Sequence, residues 1–332
     1  MIRVGLLGTG RIGSLHAENI ASHLGSSLDA VADIDDVSAN NLAAQFGAVV
    51  KSADEIISDP NIDAILIATS TDTHSDFIEK ASSAGKAILC EKPVDLSLGR
   101  AKECLNKVSA TNNPIMIGFN RRFDPNFAQL KKSLTDNEIG KSELLTITSF
   151  DPAPPPVSYV KTSGGLYRDM MIHDFDLSNF IMDELPITIS AVGQSLINPE
   201  IGAAGDVDTA VVTMIYADGK IAVIKNSRRA AYGYDQRVEI LGSEGLLQAE
   251  NIVENSVVKS TSSGVLSAKP KYFFLERYMS AYEAEWDAFI KSLKENTIVP
   301  VTLVDGVAAL AMAEAATLSQ SSGKSIQLKE VL

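Results

Sequence analysis

Cysteine is almost absent. Cys90 and Cys104 are the only two in 332 residues, and their spacing matches no metal-ligand pattern. One pair closes one bridge at most, which excludes a disulfide scaffold, and two reduced thiols of a cytosolic protein are expected. Positive charge is short as well: 29 Lys and Arg stand against 42 Asp and Glu, a formal net charge of −13. Such a surface repels a phosphate backbone, and no Lys/Arg cluster is large enough to reverse that, so nucleic acid is excluded as a partner. Long apolar runs are missing too. The most apolar late stretch, Val307 to Leu318, is short and broken by Glu314, and cannot span a bilayer. No secretory leader is expected, because Met1-Ile2-Arg3-Val4 runs directly into a strand and a glycine loop. Internal repeats and low-complexity tracts are also lacking.

What is present reads as two domains. The length exceeds what one hydrophobic core usually supports, and 45% apolar with 21% charged residues is an ordinary globular composition. Short apolar runs at 2–7, 28–33, 64–68, 87–90 and 115–118 alternate with helical stretches at 12–23, 37–46, 75–84 and 98–110. Strand and helix alternating over short connections predict an α/β, doubly wound parallel sheet of the Rossmann type. After about residue 120 the rhythm changes. Segments 144–150, 187–197, 207–217, 220–228, 236–241 and 246–250 read as strands without helices between them, with Asp218-Gly219 as a hairpin turn. Helices are expected at 127–134, 169–182, 278–296 and 303–319, and Asp151-Pro152-Ala153-Pro154-Pro155-Pro156 as a stiff loop. The expectation is a first domain over 1–120 and an α+β domain with a large open antiparallel sheet over 121–332. The final helix is left free to pack back on the first domain. Helices are too few to cover both faces of that sheet, so another subunit is expected to bury one of them.

Gly8-Thr9-Gly10-Arg11-Ile12-Gly13 fits G-x-G-x-x-G, follows a strand and opens a helix, which is the context a dinucleotide fingerprint requires. Gly8 permits the turn, Gly10 lets a pyrophosphate approach, and Gly13 lets helix pack on sheet, while the helix N-terminus favours the phosphates. Asp33, 20 residues beyond Gly13 at the end of the second strand, suits the ribose hydroxyls of NAD and repels the 2′-phosphate of NADP. Glu91-Lys92-Pro93 follows a strand, so Lys92 projects at the carboxyl edge where ligands bind, although a lone loop lysine is more often merely solvated. Asp169 and His173 are four apart and would share one face of a helix. That pair reads either as a helix-stabilising contact or as a general base with its orienting carboxylate. A metal at Asp174 and Asp176 is disfavoured, because those residues lie on other parts of the helix surface and no second His supports them. His16 and His23 fall on the first helix, and His74 reads as structural.

With those motifs in view, the chain resembles the glucose-fructose oxidoreductase / inositol dehydrogenase / rhizopine-catabolism family over nearly its full length. The resemblance is carried by the glycine loop, Glu91-Lys92-Pro93, Gly118-Phe119-Asn120-Arg121-Arg122-Phe123-Asp124 and the run from Gly164-Gly165 to His173-Asp174-Phe175-Asp176. The last of these, with Ala231-Tyr232-Gly233-Tyr234-Asp235-Gln236-Arg237, looks like the bacterial inositol 2-dehydrogenases. The resemblance implies NAD as cofactor, a small polyol as substrate, oxidation of myo-inositol at C2 to the 2-keto product, and often a homotetramer. It makes Lys92, Asp169 and His173 the catalytic group, with His173 as acid/base, Lys92 bonding the substrate and Asp169 positioning both substrate and His173. Asn120, Arg121, Tyr232 and Tyr234 match positions that approach the polyol or the nicotinamide. Thr69, His74 and Glu91 would line the cofactor groove with Arg11 and Ile12 of the glycine loop. One departure is Phe150, where many relatives carry a basic or polar residue before Asp151-Pro152; it would shift preference towards scyllo- or chiro-inositol or an aldose. A non-catalytic NAD-binding sensor is the reading from another class, and it would need the glycine loop but not Lys92, Asp169 and His173.

Overall fold

In the first part of the chain each short apolar run becomes a buried strand, and each connection back is a helix. A computed structural model describes residues 1–332, the side chain of Lys161 excepted. The elements are β1 (Ile2–Leu7), α1 (Arg11–Ser22), β2 (Ser26–Ala32), α2 (Asp36–Phe46), β3 (Val49–Val50), α3 (Ala53–Ser58), β4 (Ala64–Ile67), α4 (His74–Ser83), β5 (Ala87–Glu91), α5 (Leu98–Val108) and β6 (Ile115–Gly118). The helices start and stop where local chemistry demands. Asp35 caps α2 by accepting from the Val37 N–H at 3.0 Å, and Gly47 ends it in the left-handed region. Ser52 and Glu55 form a reciprocal capping box on α3, a short helix that the apolar periodicity did not reveal. The strands form a six-stranded parallel sheet in the order β3-β2-β1-β4-β5-β6. The order reverses between β1 and β4, so the carboxyl ends of those strands form the switch point where such sheets bind ligands. This first unit comprises Met1–Asn120 and Ser280–Leu310.

The second unit, Arg121–Met279 with Ala311–Leu332, is α+β. Its elements begin α6 (Pro125–Thr135), β7 (Ser142–Phe150), α7 (Val157–Ser163), α8 (Gly165–Asp169), α9 (Ile172–Met182), β8 (Thr188–Gln194) and α10 (Pro199–Ala203). They continue β9 (Thr209–Ile215), β10 (Ile221–Ser227), β11 (Asp235–Gly242), β12 (Gly245–Ala249), β13 (Val258–Thr261) and β14 (Gly264–Ser267). Then come α11 (Phe274–Glu295), α12 (Leu303–Ser322) and β15 (Ile326–Gln327), with α11 and α12 contributing residues to both units. A seven-stranded sheet runs β12-β11-β7-β10-β9-β8-β15. Hairpins make most of it antiparallel, and Gly219 at φ +88° closes the β9–β10 turn. The expected antiparallel sheet is nevertheless mixed, because β7 and β10 pair in parallel at its centre. Four helices and two strands of the sheet lie between these two strands in sequence, the kind of long crossover that parallel pairing needs. Side chains alternate buried and exposed along β8, β9, β10 and much of β11, so one face of the sheet is core and the other is open. The open face carries Val192 (71% exposed), Val211 (44%), Ile215 (43%) and Leu246 (45%).

One helix differs from expectation. The stretch expected as a single helix over 169–182 is two helices, α8 and α9, with Met170 and Met171 between them. Gly164 and Gly165 at φ +85° and +82° redirect the chain into α8, and the Asp206 carboxylate accepts the Leu166 N–H at 3.0 Å to hold its start. The His173 N–H reaches Met170 O at 3.4 Å, a tighter turn than an α-helix makes.

Candidate active site

In the first unit the glycine loop has the shape that a pyrophosphate requires. A Cβ on Gly8, at φ +94°, would lie 2.4 Å from Ala68 O, and one on Gly13 would lie 2.0 Å from Gly8 O. Neither position admits a side chain. At Gly10 a Cβ would meet nothing within 4 Å, so the missing side chain leaves open space over the start of α1. No side chain caps Gly10, so the first turn of α1 keeps donors for an anion, next to half-buried Ile12 and exposed Arg11. Asp33 stands at the end of β2. Its Oδ2 accepts the Thr9 N–H at 2.6 Å and the Thr9 hydroxyl at 3.0 Å, and its Oδ1 accepts the Asp35 N–H at 2.9 Å. Burial opposes the charge, but the N–H groups of Asp35 and Thr9 outweigh it and hold the carboxyl below its ordinary range. An ionised carboxylate at this point fits the ribose diol of NAD. These residues fit the dinucleotide.

The Lys92 loop is tied down from behind. The Lys92-Pro93 peptide is cis, and Lys92 is half-buried at the end of β5. His74 is buried, with Nδ1 2.8 Å from Pro93 O and Nε2 3.1 Å from Thr69 O. Burial lowers its proton affinity, against the pull of both carbonyls. A neutral ring has one N–H, and the shorter contact assigns it to Nδ1, donating to Pro93. His74 thus staples the loop after β4 to the loop after β5, a structural task. Glu91 does not point to solvent either. Its Oε1 is 2.7 Å from Nε2 of His16, which is 1% exposed, and its Oε2 accepts the Lys92 N–H at 3.3 Å. Glu285 of α11 joins them, the three offering donor atoms within 4.8 Å of one another. Ligands of a tetrahedral ion stand about 3.3 Å apart, so the closer His16–Glu91 contact is a hydrogen bond. The position of His16 on the first helix gives no sign of this partner, which lies 75 residues away.

In the second unit the structure sorts the remaining residues. Asp169 ends α8 and His173 lies in α9, so the shared helix face inferred from their spacing does not exist. Asp169 is fixed by residues the sequence did not point to: its Oδ1 accepts the Tyr159 hydroxyl at 2.9 Å, and its Oδ2 accepts from Arg228 at 3.2 Å. Asn120 is buried. Arg121 is buried in an ion pair with Asp174, donates to Ser149 Oγ at 3.2 Å and lies over the Tyr278 ring. Asn226 donates to the other Asp174 oxygen at 2.8 Å. Burial raises the Asp174 carboxyl, with Arg121 pulling the other way. The structure therefore gives Arg121 a definite duty in holding Asp174 of α9. Asp176 is likewise paired, with Arg122. Tyr232 is 46% exposed and donates to Asp235 Oδ2 at 2.5 Å, while Tyr234 is buried edge-on to Tyr278. Burial pushes the Tyr234 phenol well up. Asp235 also takes Arg237 at 2.7 Å and Asn251 at 2.7 Å, so the Gly233-Tyr234-Asp235-Gln236-Arg237 stretch is knotted around one carboxylate. Phe150, at the end of β7, pairs with Asp235 across the sheet.

Residues 2–119 match the model of an oxidoreductase family's NAD-binding Rossmann fold, and residues 131–328 match its C-terminal alpha/beta domain. The chain is 45% identical to an inositol 2-dehydrogenase of Rhizobium meliloti, covering 98% of this chain and 99% of the relative. It is 42% identical to a myo-inositol 2-dehydrogenase of Thermotoga maritima, covering both chains completely. The crystal structure of a myo-inositol dehydrogenase from Corynebacterium glutamicum superposes with a TM-score of 0.95 at 39% identity, covering 99% of each chain. With both of its halves matched, the chain belongs to the glucose-fructose oxidoreductase / inositol dehydrogenase / rhizopine-catabolism family of NAD-binding oxidoreductases.

Proposed function

We propose that this protein oxidises the C2 hydroxyl of myo-inositol to the ketone, giving 2-keto-myo-inositol, with NAD as the oxidant. The observation that carries the reading is identity of 45% and 42%, over essentially complete chains, to two relatives named for inositol oxidation. Gly8, Gly10, Arg11, Ile12, Gly13 and Asp33 would hold the dinucleotide, with Thr69, His74, Glu91 and Lys92 along the groove. Bound NAD supplies the acceptor for the hydride leaving C2. The residues of the chain handle the proton. His173 takes it from the hydroxyl, Lys92 hydrogen-bonds the substrate and stabilises charge developing on oxygen, and Asp169 orients substrate and base. Asn120, Arg121, Tyr232 and Tyr234 are the further candidates for the polyol's surroundings. The pairing of Arg121 with Asp174 makes its contribution one of support as much as of contact.

The open apolar face of the seven-stranded sheet supports a homotetramer in which a neighbouring copy covers Val192, Val211 and Ile215. Two buried free cysteines fit a reducing, cytoplasmic location, and no described helix is long and apolar enough to cross a membrane. Phe150 favours a second reading within the same chemistry, with scyllo- or chiro-inositol or an aldose as substrate. NADH absorbance with NAD and a panel of myo-, scyllo- and chiro-inositol, glucose and xylose tests all of this. Preferential turnover of myo-inositol is expected. Preference for another member moves the substrate, and no turnover despite demonstrated NAD binding would replace the enzyme with a sensor.

A further inference from the structure

Asp169 sits at the last position of a five-residue helix, too short to hold a side chain direction by itself. Its carboxylate is set from outside by two other segments, Tyr159 on α7 and Arg228 just beyond β10. Arg228 is 3% exposed, and its backbone N–H donates to Asp208 O at 2.8 Å, which anchors the residue at the sheet end. One terminal nitrogen of its guanidinium bonds Asp169 Oδ2 at 3.2 Å, and the other lies 3.7 Å from Asp151 Oδ2. The backbone locks this arrangement. Asp151 N–H donates to Ser227 O at 2.9 Å and Asp151 O accepts from Ala230 N–H at 2.6 Å, so Asp151 and Arg228 ride on one strapped pair of segments.

We infer that Arg228 is a positioning residue for the reaction: its guanidinium, braced by Asp151 on one side, fixes the direction of the Asp169 carboxylate on the other. The inference rests on the functional reading above for the role of Asp169. A guanidinium is planar and presents its donors in a fixed fork, so a carboxylate bound to one arm while the other arm is restrained has little freedom to rotate. A lysine in its place would offer a point charge on a flexible stem and would serve one carboxylate at a time. The burial of this group is what gives the clamp its reach. Water competes poorly for a guanidinium that is nearly inaccessible, so loss of the fork is felt by Asp169 rather than absorbed by solvent.

Three variants test the inference: Arg228→Met, Arg228→Lys, and Arg228→Met combined with Asp151→Asn. The single Met variant takes the shared cation from two acidic side chains and is expected to fold poorly. The double variant removes one of those charges and restores folding without restoring the fork. On whichever polyol the wild type oxidises, the double variant should keep the wild-type melting temperature and NAD affinity. Its kcat should fall about 10- to 100-fold, with a smaller change in KM, as misplacement of a catalytic group predicts. Arg228→Lys should recover part of that loss. A double variant with wild-type kcat overturns the inference; should it not fold, an Arg228→Lys enzyme with wild-type kcat overturns it equally. A crystal structure of the double variant or of Arg228→Lys gives a readout independent of turnover: the Asp169 carboxylate should be rotated from its wild-type direction. An unrotated carboxylate rejects the clamp even if the protein oxidises inositol. A wild type that oxidises no polyol rejects the functional reading and leaves the carboxylate direction to decide the clamp.

Discussion

Replacing Asp33 by alanine removes two things at once, and their sizes can be worked separately. In the folded chain Asp33 accepts from the Thr9 N–H at 2.6 Å, the Thr9 hydroxyl at 3.0 Å and the Asp35 N–H at 2.9 Å. Stranding a partly buried N–H costs about 1–3 kcal/mol, so Asp33→Ala should lower stability by that order. The second loss is to the cofactor. Two charge-assisted hydrogen bonds to the ribose hydroxyls, at about 1.5 kcal/mol each, amount to about 3 kcal/mol, or roughly 100-fold weaker NAD binding. NADP loses a repulsion instead, so the NAD-to-NADP affinity ratio should fall by at least that factor. Asp33→Asn separates the two effects. It keeps an acceptor for the Thr9 N–H and so most of the stability, but it gives up the charge that rejects a 2′-phosphate. Titration calorimetry with both dinucleotides, beside thermal denaturation, reads each quantity. An unchanged affinity ratio in both variants would show that Asp33 only staples the glycine loop and never meets the ribose.

Lys92→Ala and His173→Ala should each abolish polyol turnover while calorimetry still detects NAD binding, since neither residue builds the glycine cradle; loss of NAD binding in both would overturn their roles. Burial raises the Asp151 carboxyl to about 6, with Arg228 opposing and Asp169 adding to the rise. A carboxyl raised in the folded state favours folding below its unfolded value of about 4 and loses that contribution as pH climbs through 6. Asp151→Asn should therefore raise stability by about 2–3 kcal/mol at pH 7.5 and leave it nearly unchanged near pH 4, as denaturant titrations at the two pH values would show. Equal effects at both would contradict the burial argument. Val211→Asp on the open sheet face should split the proposed tetramer into smaller species in sedimentation velocity without loss of fold, and an unaltered sedimentation coefficient would overturn that use of the face.

The parts of the molecule legible in the sequence are those whose cause is local. The run Ile2 to Leu7, the three glycines after it and Asp33 carry their meaning within one strand–turn–helix–strand stretch, and each stands where that stretch requires. The start of α8 is hidden, because it is held by Asp206 reaching back 40 residues to Leu166. The same holds for the surroundings of Asp169. Its spacing to His173 suggested a helical pair, whereas the groups that hold it are Tyr159, 10 residues away, and Arg228, 59 residues away. The parallel pairing of β7 with β10 is also invisible to hydrophobic alternation, which reports which face a residue takes and not which neighbour its strand takes. Long-range partners decide such features, and a single sequence does not state them.

Ser280–Leu310 belong to the first unit, and that has a bearing on the order in which the protein is made. Trp286 from this segment is buried and donates to Ser26 Oγ at 3.0 Å, Tyr282 stands edge-on to His16, and Val301 O accepts the Ile117 N–H at 3.1 Å. When residue 120 leaves the ribosome, the dinucleotide-binding sheet has all its strands but lacks these side chains, and the apolar surface they cover is bare. Chains emerge at about 5–20 residues per second, so that surface waits on the order of ten seconds or more for its cover. The unit begun first therefore stays incomplete until most of the second has been made.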